Sequence, residues 1–217
     1  MAELAWRWRG RVGYEQALLE QRNHRDGILA GTQTEEIWLL EHDPVVTLGK
    51  RGAEGVDEEA LAARGIPVVQ TERGGLATYH GPGQLVVYPL VNLAKRGWGV
   101  RAFVQALEAE TMAWLSELGV NAGRRAGAPG VWVAGDKVAA VGLHIRKGVS
   151  AHGLSLNLTT SLLPYGHFVP CGIRDAGVTS LHLLGGDPWE TEHAAMVLGP
   201  RFARRLGGPD PEGPHLP

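Results

Sequence analysis

Residues 73–90, RGGLATYHGPGQLVVYPL, decide how this chain is read. Polar turn residues (Arg73, Gly74, Gly75) open the stretch and a short strand-like piece covers residues 76–79. His80-Gly81-Pro82-Gly83-Gln84 then breaks the backbone before a β-branched and aromatic run over 85–90. The pattern spells two strands around a glycine-rich bend. Four glycines within eleven residues let the main chain come close to a ligand and leave backbone N–H groups free to face it. Arg73, Tyr79, His80 and Gln84 supply the polar handles. Few polar groups on rigid strands describe a small-ligand pocket. The competing reading is a tight β-hairpin whose glycines serve only the turn.

Upstream, Leu4, Trp6 and Trp8 alternate with Ala5, Arg7 and Arg9, the period of a half-buried strand. Residues 12–24 have helical composition, and 36–40 and 45–48 are strand-like runs separated by Asp43-Pro44, a turn that a helix would not accept. Gly49-Lys50 is followed by Arg51 rather than Ser or Thr, and Pro44 stands where a nucleotide loop needs glycine, so that motif is rejected. Residues 57–64 read as a short helix stopped by Gly65, and 66–70 as a strand. Downstream, apolar residues recur at three and four over 100–118, which predicts a helix ended by Gly119. Strands are expected over 130–134, 137–145 and 151–158, the first two joined as a hairpin through Gly135-Asp136. A loop fills 159–175, 178–184 is ambiguous between strand and helix start, and 189–206 is helical with an interruption near Gly199-Pro200. Central strands with helices between and after them indicate an α+β, or mixed α/β, sheet with helices on one side. One domain over residues 1–206 is expected, followed by a disordered tail over 207–217.

Composition narrows the function. The chain has 217 residues, 44% of them apolar and 20% charged, with a net charge of −2, which gives no electrostatic case for nucleic acid or an anionic membrane. No apolar run is long enough to span a bilayer and the N-terminus lacks the features of a signal peptide, so a cytoplasmic protein is expected. A single cysteine, Cys171, excludes an intramolecular disulfide and zinc sites built on paired thiolates. Nine histidines occur without HExxH or any paired spacing, and no metal site is expected.

Cys171 sits in Phe168-Val169-Pro170-Cys171-Gly172-Ile173, outside any apolar periodic run. A lone cysteine is ordinarily a small buried hydrophobe. Lys137, one of only four lysines, starts a run of small and apolar residues and is ordinarily a surface charge. Were it partly desolvated beside a thiol, its own pKa would fall and it would stabilise the thiolate, a pair suited to nucleophilic acyl transfer. A Cys/His dyad with His80 as base competes with it, and His144 is a further candidate.

Four ordered motifs carry a resemblance: residues 73–90, Gly135-Asp136-Lys137-Val138-Ala139-Ala140-Val141-Gly142-Leu143, His152-Gly153-Leu154-Ser155-Leu156-Asn157, and Pro170-Cys171-Gly172-Ile173. Together they closely resemble the lipoyl(octanoyl) transferases, in the family's order and spacing, over nearly the whole chain except its last ten or so residues. The resemblance implies the biotin and lipoate protein ligase fold, a mixed sheet flanked by helices. It implies transfer of an octanoyl group from the phosphopantetheine of acyl carrier protein to a lysine of lipoyl domains of 2-oxoacid dehydrogenase complexes and of glycine cleavage H protein. Cys171 would be the nucleophile and Lys137 the group that lowers its pKa and moves the proton. Arg73, Gly74, Gly75, Leu76, Ala77, Thr78, Tyr79 and His80, with Ala140, Val141, Gly142, Gly153, Leu154 and Ser155, would contact the acyl substrate. No ATP or metal cofactor is implied, and a monomer is expected. Two alternatives stay open: an ATP-dependent lipoate ligase of the same fold, and a noncatalytic module that binds acyl carriers.

Overall fold

The computed structural model describes residues 4–52, 55–168 and 176–209. Strand β1 (Ala5–Val12) leads into helix α1 (Tyr14–Ala30), followed by β2 (Glu36–His42), β3 (Val45–Leu48), the short α2 (Glu58–Ala62) and β4 (Val68–Gln70). Next come β5 (Thr78–His80), β6 (Gln84–Leu90) and α3 (Val100–Glu117). Strands β7 (Gly123–Arg125), β8 (Ala128–Val133), β9 (Asp136–Arg146) and β10 (Val149–Asn157) precede the last helix, α4 (Thr191–Gly207). A seven-stranded sheet has the order β1-β2-β6-β10-β9-β8-β7, and a three-stranded sheet the order β4-β3-β5. Both are mixed, since β1 runs parallel to β2 and β3 parallel to β4 while their other pairs are antiparallel.

The two strands of the 73–90 stretch do not form a hairpin. β5 pairs with β3 in the small sheet, whereas β6 lies between β2 and β10 in the large one. The bend between them is a crossing from sheet to sheet, and its hydrogen bonds explain why. The Gly83 carbonyl accepts from the N–H groups of Leu158 and Thr159 and from Thr160 Oγ1, so the turn is tied to a distant segment rather than across to β5. Gly83, at φ +79°, has no room for a side chain there, because a Cβ would lie 2.5 Å from Thr159 Oγ1.

Helices cover both faces of the large sheet, not one. Alternation along the central strands sends Ile37, Leu39, Leu85 and Val87 to the side of α3 and α4, where Phe103, Leu107 and Phe202 meet them. Trp38, Leu40, Val86 and Tyr88 point to the opposite side, against Ile28 of α1. β2, β6 and β10 are buried along their entire lengths, as expected of strands covered on both faces.

Other boundaries differ from the expected ones, some for local reasons and some for packing. α1 begins at Tyr14 and runs on to Ala30, where Gly31 at φ +75° caps it with bonds to the carbonyls of Gly27 and Ile28. α4 is continuous through Pro200: its face of Leu198, Phe202, Ala203 and Leu206 is fully buried, which outweighs the bond that proline forgoes. Gly199 beside it lets the Trp6 ring approach, since a Cβ would stand 2.3 Å from that ring. β7, three residues long, has no periodicity to announce it. The β8–β9 hairpin forms as expected, with positive φ at Ala134 and Gly135. Residues 210–217 of the expected tail lie outside the described residues. No helix among the described residues is long and apolar enough to cross a membrane.

Candidate functional site

Where β6, β10 and β9 lie side by side, the register aligns Val86, Ser155 and Ala140 in one row across the sheet and sets Gly153 opposite Gly142 in the next. These small residues leave a trough on the sheet surface. Gly153 is forced by packing, because a Cβ there would lie 2.0 Å from the Val87 carbonyl oxygen. The loop 73–77 lies over the trough, held by the Gly74 N–H donating to the Leu143 carbonyl at 2.9 Å. It also abuts the small sheet's edge closely enough that a Cβ on Gly49 would meet the Gly75 oxygen at 2.3 Å.

The resulting cavity is narrow: about 460 Å³ of non-atom space, a figure that includes the open solvent at its mouth. Arg73, Gly74, Gly75, Leu76, Thr78 and His80 line one side, and residues 140–142 and 153–155 the other. Ala77 and Tyr79 do not line it. Strand alternation turns them away, into an apolar cluster with Tyr165 and Phe168. Three lining residues escaped the sequence reading: Val86, Tyr88 and His152. The first two share a strand face two positions apart, a signal present in the 85–90 run; the third had none.

Lys137 is buried and stands in a smaller cavity of about 250 Å³ that shares Thr78, Ala140 and Ser155 with the first. Its Nζ donates to the Pro129 carbonyl at 3.1 Å and sits 4.8 Å from the centroid of the Trp132 ring. The lysine stem passes over Gly130, where a Cβ would crowd both Cδ and Cε at 3.3 Å. Its main chain is clamped as well: the Lys137 N–H donates to the Gly177 carbonyl and its carbonyl accepts from Thr179. A buried chain of hydrogen bonds leads away from this clamp. Asn157 Nδ2 donates to the Thr179 carbonyl, Gln84 Nε2 donates to Asn157 Oδ1 at 2.8 Å, and Gln84 Oε1 faces His80 Nδ1 at 2.7 Å. Because the Gln84 amide nitrogen is committed to Asn157 and the Tyr79 carbonyl, its oxygen must accept, which places the His80 proton on Nδ1.

Arg73 is buried and reaches into the small sheet, its Nη2 donating to the Thr47 carbonyl at 2.5 Å and to Thr47 Oγ1 at 2.8 Å. Around it is a histidine group. Burial, with His42 close by, pushes the His80 pKa well below its ordinary value. Burial lowers His42 to about 4, and burial and then the charge of Arg73 lower His152 to about 3. All three are neutral imidazoles near pH 7. His42 Nε2 faces the Tyr88 hydroxyl at 2.8 Å, and its ring lies 5.7 Å from that of His80. His144, on β9 and partly buried, lies outside the cavity lining, its pKa lowered by burial and then by Lys50.

Cys171 lies in the 169–175 stretch, outside the described residues. Phe168 and Val178, described on either side of that stretch, both pack in the cluster that holds Ala77 and Tyr79. The arrangement as described presents a lysine beside a slot lined by glycine backbone, apolar side chains and a few buried polar groups.

Comparison with known proteins places this geometry in company. Residues 11–203 match the family model of the lipoyl protein ligase A/B catalytic domain. An octanoyltransferase of Thiobacillus denitrificans is 44% identical, the match covering 91% of this chain and 88% of that protein. An octanoyltransferase of Xanthomonas campestris pv. campestris is 46% identical over 80% of this chain and 73% of its own. Among solved structures, a lipoate-protein ligase A bound with ATP superimposes with a TM-score of 0.74 at 15% identity, covering 96% of this chain and 87% of that one. A biotin protein ligase of Aquifex aeolicus follows at a TM-score of 0.53 and 16% identity, over 94% and 70% of the two chains. At such identities the structural likenesses establish the fold.

Proposed function

The chain belongs to the lipoyl protein ligase A/B catalytic domain family, and from that premise we propose a thioester mechanism for it centred on Cys171 and Lys137. It is an octanoyltransferase of protein lipoylation, in line with its relatives. The donor in this reading is octanoyl-acyl carrier protein, and the acceptors are the target lysines of lipoyl domains and of glycine cleavage H protein. The Cys171 thiolate attacks the thioester carbonyl, and the pantetheine thiolate leaves, taking the proton that Lys137 held. The acceptor amine then attacks the acyl-enzyme, gives a proton to Lys137, and expels the Cys171 thiolate as the amide forms. The donor thioester already carries the free energy of the amide, so the cycle uses neither ATP nor a metal. The enzyme works as a cytoplasmic monomer, with residues 73–76, Thr78, His80, 140–142 and 153–155 around the acyl chain.

One observation carries this reading: a buried lysine in a small cavity that joins a narrow slot lined by glycine backbone, apolar side chains and a few buried polar groups. An ammonium in such a place stabilises a neighbouring anion more than it would in water. Intact mass after incubation with octanoyl-acyl carrier protein, without ATP, tests it. Wild type is expected to gain one octanoyl group and lose it on addition of a lipoyl domain, while Cys171→Ala gains none. Modification of the lipoyl domain only when ATP is present would transfer the protein to the ligase class and strip Cys171 of its role.

A further inference from the structure

At the opposite end of the cavity from Lys137 stands a group that the transfer chemistry does not use. His152 is 2% exposed, lines the cavity, and its Nε2 has no hydrogen-bond partner among the described residues. Its backbone is also unusual, at φ +57° in the middle of a strand, a conformation that a non-glycine residue adopts at a cost of the order of 1–2 kcal/mol. The Gln21 side chain holds it there, Oε1 accepting the His152 N–H at 2.8 Å. The Tyr88 ring meets the imidazole edge to face at 6.2 Å.

We infer that His152 closes the acyl slot and sets the length of chain the enzyme accepts. This inference rests on the acyl-transfer reading above, which puts the thioester carbonyl at the Lys137 end. The distances agree. From Ser155, where the two cavities meet, to His152 is three residues of strand, about 10 Å. An extended acyl chain has bonds like those of an extended backbone, three to about 3.5 Å, so the seven C–C bonds of an octanoyl group span roughly 8 Å. Its terminal methyl then arrives beside Gly153 and Gly142, with His152 next in line. Any further methylene would have to pack against an imidazole nitrogen that no described residue satisfies, and burying such an atom against hydrocarbon is unfavourable. The stop is therefore both steric and polar. Eight carbons fit and longer chains are refused.

The test is a competition between equimolar octanoyl- and dodecanoyl-acyl carrier protein, with a lipoyl domain as acceptor and its mass as the readout. His152→Gly suits the observed φ and removes the stop. It is expected to raise the ratio of dodecanoyl to octanoyl product at least tenfold, about the discrimination that one methylene carries in an apolar pocket. His152→Asn, which also tolerates the left-handed backbone and is shorter, should move the ratio the same way. His152→Gln keeps the length and a polar end, and should leave the ratio within about twofold of wild type. An unchanged ratio in both shortened variants overturns the inference. Wild type that transfers no octanoyl group without ATP defeats the underlying reading instead, so the two failures are distinct.

Discussion

Lys137 and His152 are both buried nitrogen bases beside one cleft, and the fold treats them in opposite ways. Lys137 is clamped at every level: Nζ on the Pro129 carbonyl and the Trp132 ring, stem over Gly130, main chain bonded to residues 177 and 179. His152 has its hydrogen bond at the backbone and an edge-to-face contact with the Tyr88 ring, and its Nε2 is left without a partner among the described residues. A cation cannot be buried without partners, whereas a neutral imidazole can be, at a smaller penalty. The difference teaches where the fold demands one geometry, at the lysine, and where it leaves a polar atom for something else to meet.

The largest effect should come from the clamped end. Lys137→Met, similar in length and apolar, is expected to lower octanoyl transfer by roughly 10²–10⁴-fold, the range for loss of a general acid–base group. Lys137→Arg should not restore it, because a planar guanidinium cannot follow the stem over Gly130. Steady-state transfer to a lipoyl domain is the measurement. Activity within tenfold of wild type in Lys137→Met would reduce this lysine to a packing element and erase the contrast.

Why Lys137 was legible in the sequence and His152 was not follows from the range of the interactions. Helix 100–118 and the β8–β9 turn rest on local periodicity and on glycine, and both were readable. Even Ala77 and Tyr79 could have been removed from the cavity by alternation along their own strand, which faces Thr78 and His80 the other way. The sheet change at residues 81–83 could not be read, because Gly83 is bonded to residues 158–160, more than seventy positions away. A continuous α4 through Pro200 likewise depends on a buried face whose partners are distant in sequence. His152 needed a Gln21 contact across 131 positions and a left-handed backbone, neither of which leaves a local trace.

Acid should act next, and on the histidine end. The unfolded chain binds protons at His42, His80 and His152 as pH falls below about 6.5, while the native protein refuses them until about 4 at His42 and about 3 at His152. Stability is therefore whole above about 6.5 and declines as pH drops through that window, by the order of a few kcal/mol at His42 and at His152, with His80 acting in the same direction. Glu72 adds loss lower down: Arg22 holds its carboxyl at about 2, so its contribution disappears between about 4.5 and 2. Urea midpoints at pH 7.5 and 5 should show a clear fall, flattened in His152→Gln, which removes one of the three titrations. A midpoint independent of pH across this range would mean that the histidine end is open to protons and not the sealed wall described above.

The smallest effect sharpens what the clamp is for. Asn157 is buried between Gln84 and the Thr179 carbonyl, and lines the small cavity around Lys137 but not the main one. Asn157→Ala leaves a Gln84 N–H and the Thr179 carbonyl without their partner, and should lower stability by about 1–3 kcal/mol, read as a fall in the denaturant midpoint. Thr179 in turn donates to the Lys137 carbonyl, so the loss should also reach the chemistry. Because the acyl slot itself is intact, the decline should appear in kcat for transfer, with KM for the acyl donor little changed. A variant equally destabilised but with unaltered kcat would confine the Asn157 network to holding the two sheets together, and remove it from the groups that position Lys137.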